Sequence, residues 1–403
     1  MGKLALEGIR VIELCQYWAG PSVGRFLVPM GAEVIKIESK RRPDGARGMP
    51  PHVDGIRGLN RGCMFYELNP GKLSVTLDLG RPEAIALVKQ LVGISDIITQ
   101  NFTPGVLAKL GLDYPVLRSV KEDIIMLSVT GFGTTGPDKD HPAFGDTILG
   151  FTGIPNFTGY PGGPPEWIGT VILDPLAGLH GVVAVLAALE HRAKTGQGQY
   201  IDLAMTETGI CCLPQAVMDF TMNRHVYPRM ANRDNLMAPQ GVYRCQGDDK
   251  WVAISIATDE EWQAFCRASK HEDWLQDERF SDAFRRWQNH DELDRLIGQW
   301  TINYTHYEVM HLLQRAGVAA GPVFDFQEMV ADPHIRERGL FVHMSQPETG
   351  EMLATSLPFK MDGVAEELQH APEIGEHNEY VLGELLGLSK EKMAELQERG
   401  VIY

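Results

Sequence analysis

Asp174 is the residue whose setting most suggests chemistry. It precedes Pro175 and a long apolar run that ends near Lys194. Aspartate is a favoured N-cap and proline a favoured first helical residue, so a plain cap explains the pair. The same geometry also suits catalysis, because the helix dipole and orphan N–H groups keep such a carboxylate ionised and available as a nucleophile. The two readings are compatible. Asp146 lies 28 residues upstream in a glycine-rich stretch and could place a second acidic group in the same site. Tyr17, Trp18, Tyr160 and Trp167 could wall it, although an aromatic is more often plain core.

Two further patterns invite a ligand. Lys36, Lys40, Arg41, Arg42 and Arg47 outnumber Glu38 and Asp44, a local excess of +3. They follow an expected strand, where open α/β sheets bind ligands, so this is either a solvated loop or a phosphate partner. Gly131-Phe-Gly-Thr-Thr-Gly136 fits a dinucleotide fingerprint after a strand, but Pro137-Asp-Lys-Asp-His-Pro142 is no helix start. A flexible glycine loop is the better reading, and a dinucleotide oxidoreductase the weaker alternative. Thirteen histidines without an H-E-x-x-H pair give no metal site, and no G-x-S-x-G elbow is present.

These residues sit in a chain of ordinary globular make-up. Of 403 residues, 44% are hydrophobic and 22% charged, which excludes a disordered or fibrous polymer and suggests two to three domains. A net charge of −16 argues against nucleic acid or an anionic membrane as partner, so an anionic ligand needs a local basic patch. The six cysteines (15, 63, 211, 212, 245 and 266) show no metal spacing and read as reduced thiols. With an opening Met-Gly-Lys-Leu-Ala-Leu-Glu that has no signal core, they point to a cytoplasmic protein. The apolar run Leu176 to Leu189 is too short to span a bilayer and reads as a buried helix.

Periodicity supplies the elements that would position the site. Strands are expected at Arg10–Leu14, Glu33–Ile37, Leu73–Leu79, Asp96–Thr99, Ile124–Val129 and Gln199–Met205. Helices are expected at Pro21–Gly31, Arg81–Val92, Val106–Leu110 and Pro175–Lys194. Alternating strands and helices imply a mainly parallel sheet covered on both faces. Character changes near Asn223: two short strands within Gly241–Ile256 and polar amphipathic helices follow. The expected domains are 1–224, 225–330 and a returning segment 331–403. Two tail helices split at Gly387, the second capped by Ser389 and stopped by Gly400, complete the chain.

Several segments together resemble the class III CoA-transferase family, which includes formyl-CoA:oxalate, carnitine and benzylsuccinate CoA-transferases. They are Leu6-Glu-Gly-Ile-Arg-Val-Ile-Glu-Leu14, Ala19-Gly-Pro21, Gly31-Ala-Glu-Val-Ile-Lys-Ile-Glu38, Leu73-Ser-Val-Thr-Leu-Asp78 and Asn101-Phe-Thr-Pro-Gly105. Ser128-Val-Thr-Gly-Phe-Gly133, Lys194-Thr-Gly-Gln-Gly-Gln199, Gly375-Glu-His-Asn378 and Leu385-Leu-Gly-Leu388 continue the match in order. The resemblance implies a Rossmann-like large α/β domain built from both chain ends, a smaller α+β middle domain and an interlocked dimer. It places the nucleophile on Asp174, which forms an aspartyl-CoA thioester, and an auxiliary acid on Asp146. Coenzyme A contacts fall on Leu77, Asn101, Phe102, Val106 and Lys109, with Lys40 or Arg41 as phosphate partner. Acid-facing positions fall on Tyr17 and Trp18, whose bulk, with the other aromatics, favours an aromatic or apolar acid over a small polar one. The implied partners are an acyl-CoA such as succinyl-CoA, a free carboxylic acid, and either a second copy or a paralogous subunit. The α-methylacyl-CoA racemase on the same fold uses a Gly-His-Asp segment. Here the match is Phe144-Gly145-Asp146, without the histidine that proton exchange needs.

Overall fold

The computed structural model describes residues 4–365 and 367–403. These form two compact units. The larger comprises the chain up to Pro155, Ile168–His225 and Glu337–Tyr403; the smaller comprises Asn156–Trp167 and Val226–Arg336.

A six-stranded parallel sheet organises the larger unit. Its strands are β1 (Arg10–Leu14), β2 (Glu33–Glu38), β3 (Leu73–Thr76), β4 (Ile97–Gln100), β5 (Ile125–Thr130) and β6 (Tyr200–Ala204), ordered β3-β2-β1-β4-β5-β6. Near-continuous apolar runs are what such strands require, because both faces are covered. Ile12 and Leu14 of β1 join the apolar cluster on one face, and Val11 joins the cluster on the other. Val11 pairs with Val34 of β2 and with Ile97 of β4. The strand order therefore reverses between β1 and β4, and the loops leaving their carboxyl ends flank the crevice where such sheets bind ligands.

Helices α1 (Ala19–Leu27), α2 (Pro82–Gly93), α3 (Val106–Leu110), α4 (Tyr114–Val120), α5 (Gly145–Thr152) and α6 (Leu173–Thr195) connect and cover the strands. α1 begins two residues earlier than periodicity suggests, so Pro21 is its third residue. α6 also starts early. Ile172 already has helical angles, Leu173 is the first helical residue, and no side chain caps the end. Asp174 thus lies inside the first turn and is not the cap expected from the Asp-Pro pair. Leu173, Ala177, Val182, Val185 and Ala188 pack α6 into the core, and left-handed Gly196 ends it.

After β6 come α7 (Met205–Ile210) and α8 (Pro214–Asn223). The glycine stretch after β5 opens no helix before Gly145. Its Thr134 N–H and hydroxyl donate to the Asp202 carboxylate on β6, at 2.9 and 2.6 Å. The dinucleotide fingerprint therefore lacks the helix N-terminus that would receive a pyrophosphate.

In the smaller unit, β7 (Gln240–Arg244), β8 (Trp251–Ser255) and β9 (Ala319–Val323) form an antiparallel sheet. Helices α9 (Asp259–Ser269), α10 (His290–Thr301) and α11 (His306–Arg315) pack with it around Trp262, Phe265, Phe280 and Trp300. The returning segment, part of the larger unit, forms the hairpin β10 (Phe341–Gln346) and β11 (Gly350–Thr355), a π-helical turn at Glu379–Leu385, and α12 (Lys390–Glu398). Ser389 caps α12 by accepting from the Lys392 N–H at 3.2 Å.

Candidate active site

The carboxylate of Asp174 lies where three helix beginnings converge. It sits in the first turn of α6, and the backbone N–H of Ala19, first residue of α1, faces it. Gly145, first residue of α5, closes the third side. A Cβ at Gly145 would come 1.9 Å from Val171 Cγ1 and 2.8 Å from Asp174 Oδ2, so a side chain has no room there. Oδ2 is buried and has no hydrogen-bond partner among the described residues.

Burial is the largest influence on this carboxyl and pushes its pKa up to about 6. The N–H groups of Ala19 and of Asp174 itself pull the value down, and the nearby charge of Asp146 pushes it up. The helix ends thus offset burial only in part, and the group is still ionised for the most part at pH 7. Asp146 is exposed on the first turn of α5.

Tyr17 and Trp18 form the turn between β1 and α1. Tyr17 adopts a φ of +63°, an uncommon conformation for a bulky residue, and its N–H donates to Asp44 Oδ1 at 2.8 Å. Its ring lies edge-on to Phe144, with centroids 6.5 Å apart, and both rings are exposed. Trp18 is half-buried, and its carbonyl accepts from the N–H and hydroxyl of Ser22. Asn101, beyond β4, bridges the crevice: its Oδ1 accepts from the Gln16 N–H at 2.9 Å and its Nδ2 donates to the Gln16 carbonyl at 2.7 Å.

The residues suggested for coenzyme A stand at the carboxyl ends of β2, β3 and β4. Leu77 is buried and its N–H bonds the Glu38 carbonyl. Phe102 packs against the apolar cluster that contains Leu77. Val106 opens α3, where Lys109 is exposed. Lys40 and Arg41 are exposed, and Arg41 pairs with Asp78 at 3.2 Å.

The basic run is not one patch. Lys36 and Arg47 are wholly buried and neutralised, Lys36 lying 2.7 Å from Asp44 and Arg47 lying 2.7 Å from Glu38. Lys40, Arg41 and Arg42 alone are left at the surface. Reading the sequence for charge missed this division, and Phe144 and Gly145 entered only as the place of an absent histidine, not as neighbours of Tyr17 and Asp174. The signal for Lys36 was available, since a lysine in the middle of a two-faced buried strand has to be buried.

A family model described as CoA-transferase family III matches residues 6–378. The chain belongs to CoA-transferase family III. It is a CoA-transferase, acting on acyl-CoA and a carboxylate. This transferase is 33% identical to a succinyl-CoA–D-citramalate CoA-transferase of Chloroflexus aurantiacus, over 98% of both chains. It is 34% identical to the succinyl-CoA–L-malate CoA-transferase beta subunit of the same organism, over 99% of this chain and 98% of that one. A solved CAIB/BAIF family protein from Brucella suis superimposes with a TM-score of 0.85 at 30% identity, covering 95% of this chain and all of the other. Among the described residues no cluster of His, Cys, Asp and Glu could hold a metal ion.

Proposed function

We propose that the transferase moves coenzyme A from succinyl-CoA to a free carboxylic acid through Asp174. The observation that carries this reading is the Asp174 carboxylate itself: one oxygen buried without a partner, and the group as a whole facing the amino end of α1. An ionised oxygen with no hydrogen bond to give up is a ready nucleophile. It attacks the thioester carbonyl; the C–S bond breaks, an aspartyl–succinyl anhydride forms, and CoA thiolate departs. The thiolate then attacks the aspartyl carbonyl, releasing succinate and leaving an aspartyl-CoA thioester. The acceptor carboxylate repeats these steps in reverse and leaves as its CoA thioester. Backbone N–H groups at the start of α1 and α6 are the donors for the developing oxyanions, and Asp146 is the auxiliary acid.

Lys40 or Arg41 takes the phosphates of coenzyme A, and Leu77, Asn101, Phe102, Val106 and Lys109 take the rest of the carrier. Tyr17 and Trp18 face the acid. The exposed Tyr17–Phe144 pair supports an acceptor with an aromatic or apolar body. A second reading, a small dicarboxylate acceptor, is favoured by relatives that use D-citramalate and L-malate. The racemase alternative is disfavoured because Gly145 leaves no room for a second acid–base side chain beside Asp174. The working assembly is an interlocked dimer, of two copies or with a paralogous subunit, in the cytoplasm. The apolar residues Val217, Met218, Phe220 and Met222 on α8 are all exposed, which supports a partner on that helix.

The test is an exchange screen read by mass spectrometry. Succinyl-CoA is mixed with aromatic acids and with dicarboxylates, and new CoA thioesters are sought. A new thioester that disappears in Asp174→Ala supports the reading and names the acceptor class. An Asp174→Ala variant that turns over at the normal rate sinks it.

A further inference from the structure

Four fully buried charges surround the turn that aims at Asp174. Lys36 lies 2.7 Å from Asp44 Oδ2 and 3.3 Å from Glu13 Oε1; Lys72 lies 2.8 Å from Glu13 Oε2. Two acids and two lysines leave this quartet neutral. Its side chains are 0% exposed. Burying charges this way adds little stability, because desolvation offsets the attraction, so a geometric role is the better account of it.

The quartet bonds three backbone positions on the two flanks of Ala19. Lys36 donates to the Cys15 carbonyl at 2.8 Å, Asp44 accepts from the Tyr17 N–H at 2.8 Å, and Lys72 donates to the Pro21 carbonyl at 2.8 Å. Asp44 Oδ1 also accepts from the Ala46 N–H at 2.9 Å. The Tyr17 bond holds a residue in the left-handed region, two positions before the N–H that faces Asp174. The first turn of α1 packs directly on α6. A Cβ at Gly178, one turn after Asp174, would meet Ser22 Cβ at 2.4 Å and the Ala19 carbonyl at 3.5 Å.

We infer that Asp44 is a positioning residue: held by the quartet, it fixes the Tyr17 turn and so aims the Ala19 N–H at the Asp174 carboxylate. This rests on Asp174 being the nucleophile. Asp44 touches neither the reacting atoms nor the carrier; it acts through the turn. Among the described residues, Asp146 is the one charged side chain acting on Asp174, so loss of the Ala19 N–H is not masked by a neighbouring cation. Glu38 and Cys15 also face the quartet.

The experiment compares wild type with Asp44→Ser and Asp44→Asn, each combined with Lys36→Met so that Glu13 and Lys72 remain as one neutral buried pair. Serine can still cap the 3-10 turn through the Ala46 N–H but is too short for the Tyr17 N–H, whereas asparagine keeps an acceptor for both. The first half of the cycle is followed as the burst of succinate released from succinyl-CoA, one per active site, from pH 5 to 8. In Asp44→Ser the burst at pH 5 slows by about tenfold or more, because one lost hydrogen bond to a charged group leaves that much less of Asp174 ionised. The KM for succinyl-CoA is unchanged, and the acid limb moves to higher pH because a donor to the ionised carboxylate is lost. Asp44→Asn recovers most of the rate and the normal limb. A folded Asp44→Ser with wild-type burst and limb overturns the inference, as does Asp44→Asn behaving like Asp44→Ser. Should Asp44→Ser not fold, Asp44→Thr in the same background, whose hydroxyl is equally short of the Tyr17 N–H, is read the same way, and an unmoved limb overturns the inference. A wild-type protein without any burst refutes the proposed nucleophile instead, so the two failures are separable.

Discussion

Replacing Asp174 by asparagine should make the protein more stable while abolishing transfer. The carboxyl has a pKa of about 6 in the folded chain, raised chiefly by burial, against about 3.9 when unfolded. The folded state therefore holds this proton more tightly than the unfolded state. Stability falls as pH rises from about 4 to about 6, and the whole loss is present above pH 7. A displacement of about two pH units, at about 1.36 kcal/mol each, gives roughly 3 kcal/mol. Asparagine has the same shape and no charge, but its amide enters a place where one oxygen has no partner, which costs about 1 kcal/mol. The net gain at pH 7.5 is about 2 kcal/mol, or roughly 2–3 °C in Tm for a unit of this size. Melting curves of both proteins between pH 4 and 8 check this. The difference should be small or reversed near pH 4, open between pH 4 and 6, and stay level above pH 7. A Tm difference that is independent of pH, or an asparagine variant less stable than wild type at pH 7.5, would refute the view of Asp174 as a desolvated carboxylate.

Three further outcomes follow from the same geometry. Gly145→Ala forces a methyl against Val171 and the free Asp174 oxygen. Denaturant melts should show a loss of about 1–3 kcal/mol, and turnover should fall by more than about tenfold. Asp146→Asn removes the like charge that raises the Asp174 pKa, so the acid limb of the rate profile should move to lower pH; a limb that stays put contradicts the coupling. Replacing Lys40 and Arg41 together by alanine should raise the KM for acyl-CoA by about two- to tenfold, as expected of exposed charges. In that variant kcat should hold, and the effect should shrink as salt is added.

The alternation of strands and helices was legible because buried parallel strands are short apolar runs bounded by turn residues. The expected Arg10–Leu14 matches β1, and Ile124–Val129 misses β5 by one residue. The transferase class was legible from motifs spread in order along the chain, none of them decisive alone. Helix ends were less legible. Aspartate and proline before an apolar run suggest a cap, yet Ile172 already adopts helical angles and carries the start upstream. Charge counting failed at Lys36 and Arg47 because it treats every lysine and arginine as a surface charge. Lys36 sits between Ile35 and Ile37 in a strand with neighbours on both sides, and Arg47 folds back onto Glu38 and lies over the Phe65 ring. Gly145 shows a different limit. Its sequence position says that a histidine is missing; only the fold says that nothing larger than hydrogen fits beside Asp174.

The same burial that costs stability serves the proposed cycle. An ionised Asp174 is the state that desolvation disfavours, by roughly 3 kcal/mol from the displacement of its pKa. Once acylated or joined to coenzyme A, the side chain is a neutral ester-like group, and that penalty is gone. The negative charge then resides on the thiolate or on the released acid. Burial thus tilts the exchange toward covalent enzyme without any contact to the substrate. The N–H of Ala19 works in the opposite sense, holding the carboxylate ionised at neutral pH so that attack can begin. A balance of this kind depends on where one backbone N–H points. Four buried charges around its turn, contributing little to stability, are a reasonable way for a fold to fix that direction.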